Sequence, residues 1–180
     1  MNDRQKQIAA TATDLFLSQG VGVSTAQIAK AAGVSNGTLF NAFPTKQALI
    51  DAIYADAKTA MFGAVPHAGD TPFTRQNFRE NWDAYLAWAK ANPQKCKIMH
   101  FLLESGLASE ATQAHVNQIA APHAQWLQRA LDDGLIKGPS VAIVGNLIFF
   151  FADHVINDTL GTADADLMFT MLTNAIGLKE

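Results

Sequence analysis

The stretch AGVSNGTLFNAF, Ala32 to Phe43, decides how the chain is read. Its Asn36-Gly37 pair is the strongest short hairpin signal when alternating apolar runs flank it. No such alternation stands on either side. Ser35 instead precedes Leu39, Phe40 and Phe43, so it reads as the N-cap of a short helix with Asn-Gly in its first turn. Upstream, Thr25 can cap a helix carrying Ile28, Ala29 and Ala32, which Gly33 stops where a positive φ is needed. Two short helices, 25–32 and 36–42, joined by a tight turn containing glycine make a helix-turn-helix. Val34 and Leu39 would fill the wedge between them.

Working outward, breakers cut the chain into about nine helical segments, and no convincing strand appears. The first runs from Asp3 to Gln19, with Ile8, Ala12, Leu15 and Phe16 at helical spacing and Gly20 as its C-cap. Pro44-Thr45 precedes a fourth, from Lys46 to Phe62, with Leu49, Ile50, Ile53 and Tyr54. GAVPHAGD, Gly63 to Asp70, reads as a loop. Thr71-Pro72 would open a fifth helix and Asn92-Pro93 a sixth, proline taking the first helical position. A seventh spans about 109–133 with Pro122 inside it. Gly138-Pro139-Ser140 starts an eighth, and GTADAD separates it from a ninth ending near Gly177.

The chain has 180 residues, 49% of them apolar, which suits a globular fold with a real core. Its single cysteine, Cys96, excludes an internal disulfide framework and suits a reducing compartment. The N-terminus MNDRQKQIAA has no apolar core of a signal peptide. The longest apolar run, 141–152, is too short for a membrane span, so a cytoplasmic protein is expected. Residues 1–50 carry four basic and two acidic side chains, against nine and fourteen in the rest. A mildly basic head on an acidic body suggests that only the head meets a polyanion.

From about Ile8 to Leu49 the sequence resembles the TetR family of transcriptional regulators. The matching elements are Ala10, Leu15-Phe16, Gly20, Ser24-Thr25, Ile28-Ala29, Ala32 to Ser35, Gly37 to Phe40, Phe43, Lys46 and Leu49. The resemblance implies an all-α protein with a three-helix DNA-binding head at 1–46 (its helix-turn-helix at about 24–43). A helical ligand-binding and dimerisation domain at 47–180 would follow. A recognition helix presents its N-terminal residues to base edges in the major groove. Asn36, Thr38 and Asn41 are the candidate readers, since asparagine pairs with adenine and the threonine methyl packs on thymine. Gly37 would permit close approach. Thr25, Ser35 and Lys46 lie at helix N-termini, where backbone N–H groups favour phosphate. The family usually has tyrosine where this chain has Phe40 and often histidine where it has Ala42. Neither replacement donates a hydrogen bond, so contact to the backbone would lean on Lys46, Thr25, Arg4 and Lys6, with Phe40 as core.

In the body, Phe78, Trp82, Tyr85 and Ala89 share a face of the fifth helix. They serve either as ordinary core or as an aromatic pocket wall. Trp82 and Tyr85, with Phe101, Trp126 and Phe150, are the candidate ligand-binding residues, together with Asn146 and Asp153, which share a face of an otherwise apolar helix. A buried carboxylate needs a partner, so Asp153 faces the pocket, a dimer partner or solvent. The resemblance places a dimeric four-helix interface on the last two helices, for which Val144, Ile148, Met168 and Leu172 are the candidates. The five histidines show no metal-ligand spacing, and neither a metal nor a cofactor is expected.

The expected function is a homodimeric DNA-binding repressor. A small, largely apolar inducer in the C-terminal domain would release it from a near-palindromic double-stranded operator. One alternative is a regulator switched by Cys96, which lies beside Lys95 and Lys97 where a thiolate is favoured. Another is a small helical enzyme, against which stand the missing nucleophile–base motif and phosphate loop.

Overall fold

The protein is described by a computed structural model covering residues 1–158 and 164–178. Among the described residues there are nine helices and no strand. They are α1 (Asp3–Gln19), α2 (Thr25–Ala31), α3 (Asn36–Ala42), α4 (Lys46–Ala64), α5 (Arg75–Ala91), α6 (Pro93–Glu104), α7 (Glu110–Asp132), α8 (Val141–Ile156) and α9 (Ala165–Ala175).

Local chemistry sets the boundaries. Gly20 and Gly33 both take positive φ at the ends of α1 and α2, as their positions require. Three starts differ from expectation. Ser24, not Thr25, caps α2: its hydroxyl accepts from the Gln27 amide N–H at 3.2 Å, and its own N–H donates to the Gln27 side chain at 2.9 Å. That reciprocal box satisfies two N–H groups where a lone Thr25 cap would satisfy one. α5 begins at Arg75 and not at Pro72, because the Thr74 hydroxyl accepts from the Asn77 amide at 3.0 Å. The Pro72 carbonyl is drawn aside by the Asn77 side chain. α9 begins at Ala165 behind an Asp164 cap; Gly161, Thr162 and Ala163 of the expected separator lie outside the described residues. Pro122 sits inside α7 without ending it.

The chain divides into two compact units, Met1–Ala60 with Asn92–Gln118, and Met61–Ala91 with the residues from Ile119 onward. The expected division after residue 46 follows the helix-turn-helix alone, whereas residues 47–60 and 92–118 pack in the same unit as the head.

In the first unit α1 packs on α2, α3 and α6. Ile8, Ala12 and Phe16 of α1 are wholly buried with Ile28, Leu39, Leu49 and Leu102. Two α1 side chains tie this core to helix ends: the Gln5 amide donates to the Ala42 carbonyl at 3.1 Å and Gln7 to that of Ala32 at 3.0 Å. They satisfy carbonyls that α3 and α2 leave without helical partners. Asp51 accepts the Ser109 amide at 2.9 Å, and Lys95 pairs with Asp56 at 2.8 Å.

In the second unit α5 packs on α8 and α8 on α9. Phe73, Phe78, Trp82, Trp126 and Phe169 form a chain of tilted ring contacts with centroids 4.5 to 6.4 Å apart. Arg79 lies 5.1 Å over the Phe169 ring and bridges Asp83 and Asp166. The segment before α5 is pinned from below, the Trp126 indole donating to the Thr71 carbonyl at 2.8 Å and Gly69 N–H to the Pro122 carbonyl at 3.0 Å.

One buried charge carries a testable cost. Lys58 is only 5% exposed beside the Tyr54 ring. Burial pushes its ammonium down to about 8 from 10.5, with the charge of the Cys96 thiolate form partly opposing. Between those two values the unfolded chain holds a proton that the folded chain has released, so this residue makes stability rise with pH there. Lys58→Met should remove that rise and be the more stable form at pH 7, by up to roughly 3 kcal/mol. Urea unfolding of both proteins at neutral and alkaline pH measures it.

Candidate functional sites: a helix-turn-helix head and an apolar cavity

The turn between α2 and α3 is closed by backbone bonds, Gly33 N–H to Lys30 and Val34 N–H to the Ala29 carbonyl at 3.0 Å. Leu39 is fully buried under it and Val34 half-buried, so the wedge is filled mainly by the leucine. α3 starts at Ser35, whose hydroxyl accepts from the Thr38 amide at 3.1 Å and pairs with the Thr38 hydroxyl at 2.9 Å. Ser35 and Thr38 therefore build the helix start, and both polar groups have a protein partner. The outward face of α3 is Asn36, Gly37, Phe40 and Asn41, all exposed. This corrects the expectation that Phe40 is core, for 44% of its surface is free. α3 carries no charged residue. Thr25 is half-buried at the first position of α2. The Lys46 ammonium, at the start of α4, donates to the Val21 carbonyl. That bond uses one of its three donors.

The second unit contains a cavity of about 200 Å³. Met61 and Phe62 from α4, Phe78, Trp82 and Tyr85 from α5, His123, Trp126 and Leu127 from α7, and Gly145, Ile148 and Phe149 from α8 are on its wall. Of the seven candidate ligand residues, Trp82, Tyr85 and Trp126 come together there. The other four do not. Phe101 belongs to the first unit and is half-buried on α6. Phe150 is 57% exposed and Asn146 exposed, each turned one helical step away from Phe149 and Gly145 on the cavity wall. Asp153 is half-buried near the end of α8, where it accepts the Asn157 amide at 2.6 Å. α8 is apolar almost all round, so spacing does not say which face turns inward, and its polar stripe does not mark the cavity side. His123 and Gly145 were missed altogether; a lone histidine and a mid-helix glycine are visible in the sequence, but nothing there brings them to α5.

The interface candidates need the same correction. Val144 and Leu172 have no exposed surface within their own unit, and Ile148 is on the cavity wall. A side chain already buried in its own protomer cannot cover a partner. Met168 is half-buried. The large apolar side chains that α8 and α9 leave outside are Ile143, Phe150, Leu167 and Met171, each 45–57% exposed.

Residues 8–53 match the family model of bacterial regulatory proteins, tetR family. The chain's N-terminal head belongs to the TetR family. A Shewanella sp. PV-4 protein described as a tetR family transcription regulator is similar at 25% identity over 97% of this chain and 98% of its own, with a TM-score of 0.78. Two further structures share the fold at 18% identity. A TetR family transcription regulator from Marinobacter aquaeolei VT8 aligns over 96% and 95% of the two chains with a TM-score of 0.77. A bacterial regulatory protein in the tetR family from Rhodococcus RHA1 aligns over the whole of both with 0.79. Membership makes the exposed α3 face part of a DNA-binding head and the protein a transcriptional regulator. Among the described residues, no helix is long and apolar enough to cross a membrane.

Two side chains bear on the thiol and cavity readings. Cys96 is only 3% exposed in the core of the first unit, whereas redox-sensing thiols are accessible ones. On the cavity wall, burial pushes the His123 imidazole below its ordinary pKa, outweighing the lift from the Val65 carbonyl. The wall carries no Lys, Arg, Asp or Glu.

Gly145 tests the cavity directly. A Cβ built there meets nothing within 4 Å, and the residue lies within a helix. Gly145→Ala should therefore stabilise the protein by roughly 0.5–1 kcal/mol, through the entropy glycine gives up in a helix. Denaturant unfolding checks this; a loss of stability would mean that the space beside Gly145 is filled.

Proposed function

We propose that the protein is a homodimeric repressor, released from a near-palindromic double-stranded operator by a small, uncharged, largely apolar molecule in the cavity of its second unit. The observation that carries this reading is the pairing, in one chain, of a TetR-family head with a roomy apolar cavity. Apolar cavities of this kind are the usual form of small-molecule sites. The exposed apolar stripe Ile143, Phe150, Leu167 and Met171 is the surface that a two-fold partner would cover. Such a dimer presents two recognition helices to successive major grooves about 34–36 Å apart.

On the head, Asn36 and Asn41 read adenine edges and Gly37 lets the backbone approach. Thr25, Ser35 and Lys46 meet phosphate, with Thr38 beside them. Phe40 supplies an apolar contact to a thymine methyl, which suits an exposed ring with no hydroxyl. For the switch, α4 is part of the first unit through Ala60 and contributes Met61 and Phe62 to the cavity of the second. A ligand that prefers one position of this helix shifts the head between populations; inverting 1:99 to 99:1 takes about 5.5 kcal/mol of differential affinity.

Binding to a selected operator should fall steeply with salt, as neutralised phosphates require. Asn41→Ala should cost about 1–3 kcal/mol on the preferred sequence and little on random DNA. Replacing operator thymines by uracil should weaken the parent protein but not Phe40→Ala. Equal uracil sensitivity in both would remove Phe40 from base reading. Met171→Glu, at an exposed site, should yield a folded monomer by light scattering; a dimer that survives it and Phe150→Glu together would place the interface elsewhere.

A further inference from the structure

Five side chains with polar atoms stand on the wall of the second unit's cavity, Asn81, Trp82, Tyr85, His123 and Trp126, yet the surface it offers is almost wholly apolar. Two of the five spend their polar atoms on the segment before α5. The Asn81 amide holds the His67 backbone in both directions, at 2.8 and 2.9 Å, and the Trp126 indole donates to the Thr71 carbonyl at 2.8 Å. Trp82 Nε1 and both ring nitrogens of His123 have almost no accessible surface, and the Val65 carbonyl lies against the His123 ring. Trp82 and His123 thus give the cavity ring carbon and not hydrogen bonds. The Tyr85 ring stacks on Trp88 and meets Phe149 edge-on, with centroids 6.1 and 5.7 Å apart. The backbone bared at Gly145 belongs to α8, where N–H and C=O groups bond along the helix. Among the described residues no Lys, Arg, Asp or Glu is on the wall.

Such a wall discriminates by what it lacks. A hydroxyl or carbonyl that leaves water for these surroundings finds no partner and is penalised, and an ion far more so. A hydrocarbon surrenders no hydrogen bond to water and keeps the whole gain of its burial. The volume, about 200 Å³, is somewhat larger than the roughly 150 Å³ apolar cavity that stays dry and accepts benzene. That is room for one ring with small alkyl substituents.

We infer that the cavity selects a hydrocarbon, a single ring with small alkyl groups and no oxygen, nitrogen or charge. The inference rests on the reading of the cavity as the ligand site. It narrows that ligand from a largely apolar molecule to one with no hydrogen-bonding group at all.

The test is a calorimetric titration of the full chain with toluene, phenol and benzoate, which differ in one substituent on the same ring. Toluene should bind about tenfold tighter than phenol, because the hydroxyl loses water and gains no partner. Benzoate should not bind detectably. Gly145 is on the wall, and a Cβ built there meets nothing within 4 Å, so Gly145→Leu should fill the space and abolish toluene binding. Should that variant misfold, proton NMR of the parent decides the location: bound toluene should show contacts to the methyl groups of Met61 and Ile148. Phenol that binds as tightly as toluene, or benzoate that binds at all, would overturn the hydrocarbon assignment while leaving the cavity as a ligand site. Toluene held without those methyl contacts, or held equally by a folded Gly145→Leu, would place the hydrocarbon elsewhere and overturn it too. Failure of all three probes to bind the parent would remove the cavity reading itself.

Discussion

The burial of one stripe on α1 underlies the whole head. Ile8, Ala12 and Phe16 have no exposed surface, and the two helices they support are only seven residues long. Helices of that length are not stable in water by themselves, because nucleation outweighs the few bonds that follow. α2 and α3 exist as helices because Ile28 and Leu39 are buried with that stripe. Gln5 and Gln7 reinforce the same packing from its edge by satisfying the Ala42 and Ala32 carbonyls. The DNA-facing surface is thus held from behind by apolar contacts. That leaves Asn36, Gly37, Phe40 and Asn41 exposed and outside the packing that supports the head.

The second unit solves a different problem. Tilted ring contacts among Phe73, Phe78, Trp126 and Phe169 join residues of this unit, and Phe78 and Trp126 stand on the cavity wall. Across from them α8 presents Gly145, a residue with no side chain, where a larger one would have closed the space. Packing interiors to crystal density is the rule, so a cavity bounded by a rigid aromatic wall and a helical glycine is a departure that costs dispersion contacts. Trp82 and His123 add a polar cost on the same wall.

α8 also shows how one helix serves several surfaces. Val144 and Ala152 are buried within the unit, Gly145, Ile148 and Phe149 turn to the cavity, and Ile143 and Phe150 turn outward. A single apolar face would suffice for a helix that only completes a core. α8 instead divides its apolar surface among the core, the cavity and the outside.

The sequence by itself determined the helices and the head. Glycines at 20 and 33 and the cap at Ser35 mark boundaries through local backbone chemistry, which neighbours in sequence suffice to settle. The 3.6-residue spacing of Ile8, Ala12, Leu15 and Phe16 likewise announced the buried side of α1. Ser24 over Thr25 and Thr74 over Pro72 were also legible locally, since each winning hydroxyl caps the amide three residues on, at Gln27 and Asn77. The orientation of α8 was beyond reach. A helix apolar on every side has no amphipathic signal, so only its packing on α5 and α9 decides that Phe149 faces the cavity while Phe150, its neighbour, faces out. His123 and Trp82 stand 41 positions apart in the chain. Their presence on one cavity wall is a fact of tertiary structure alone, since long-range proximity is fixed by how helices stack and not by any pattern along them.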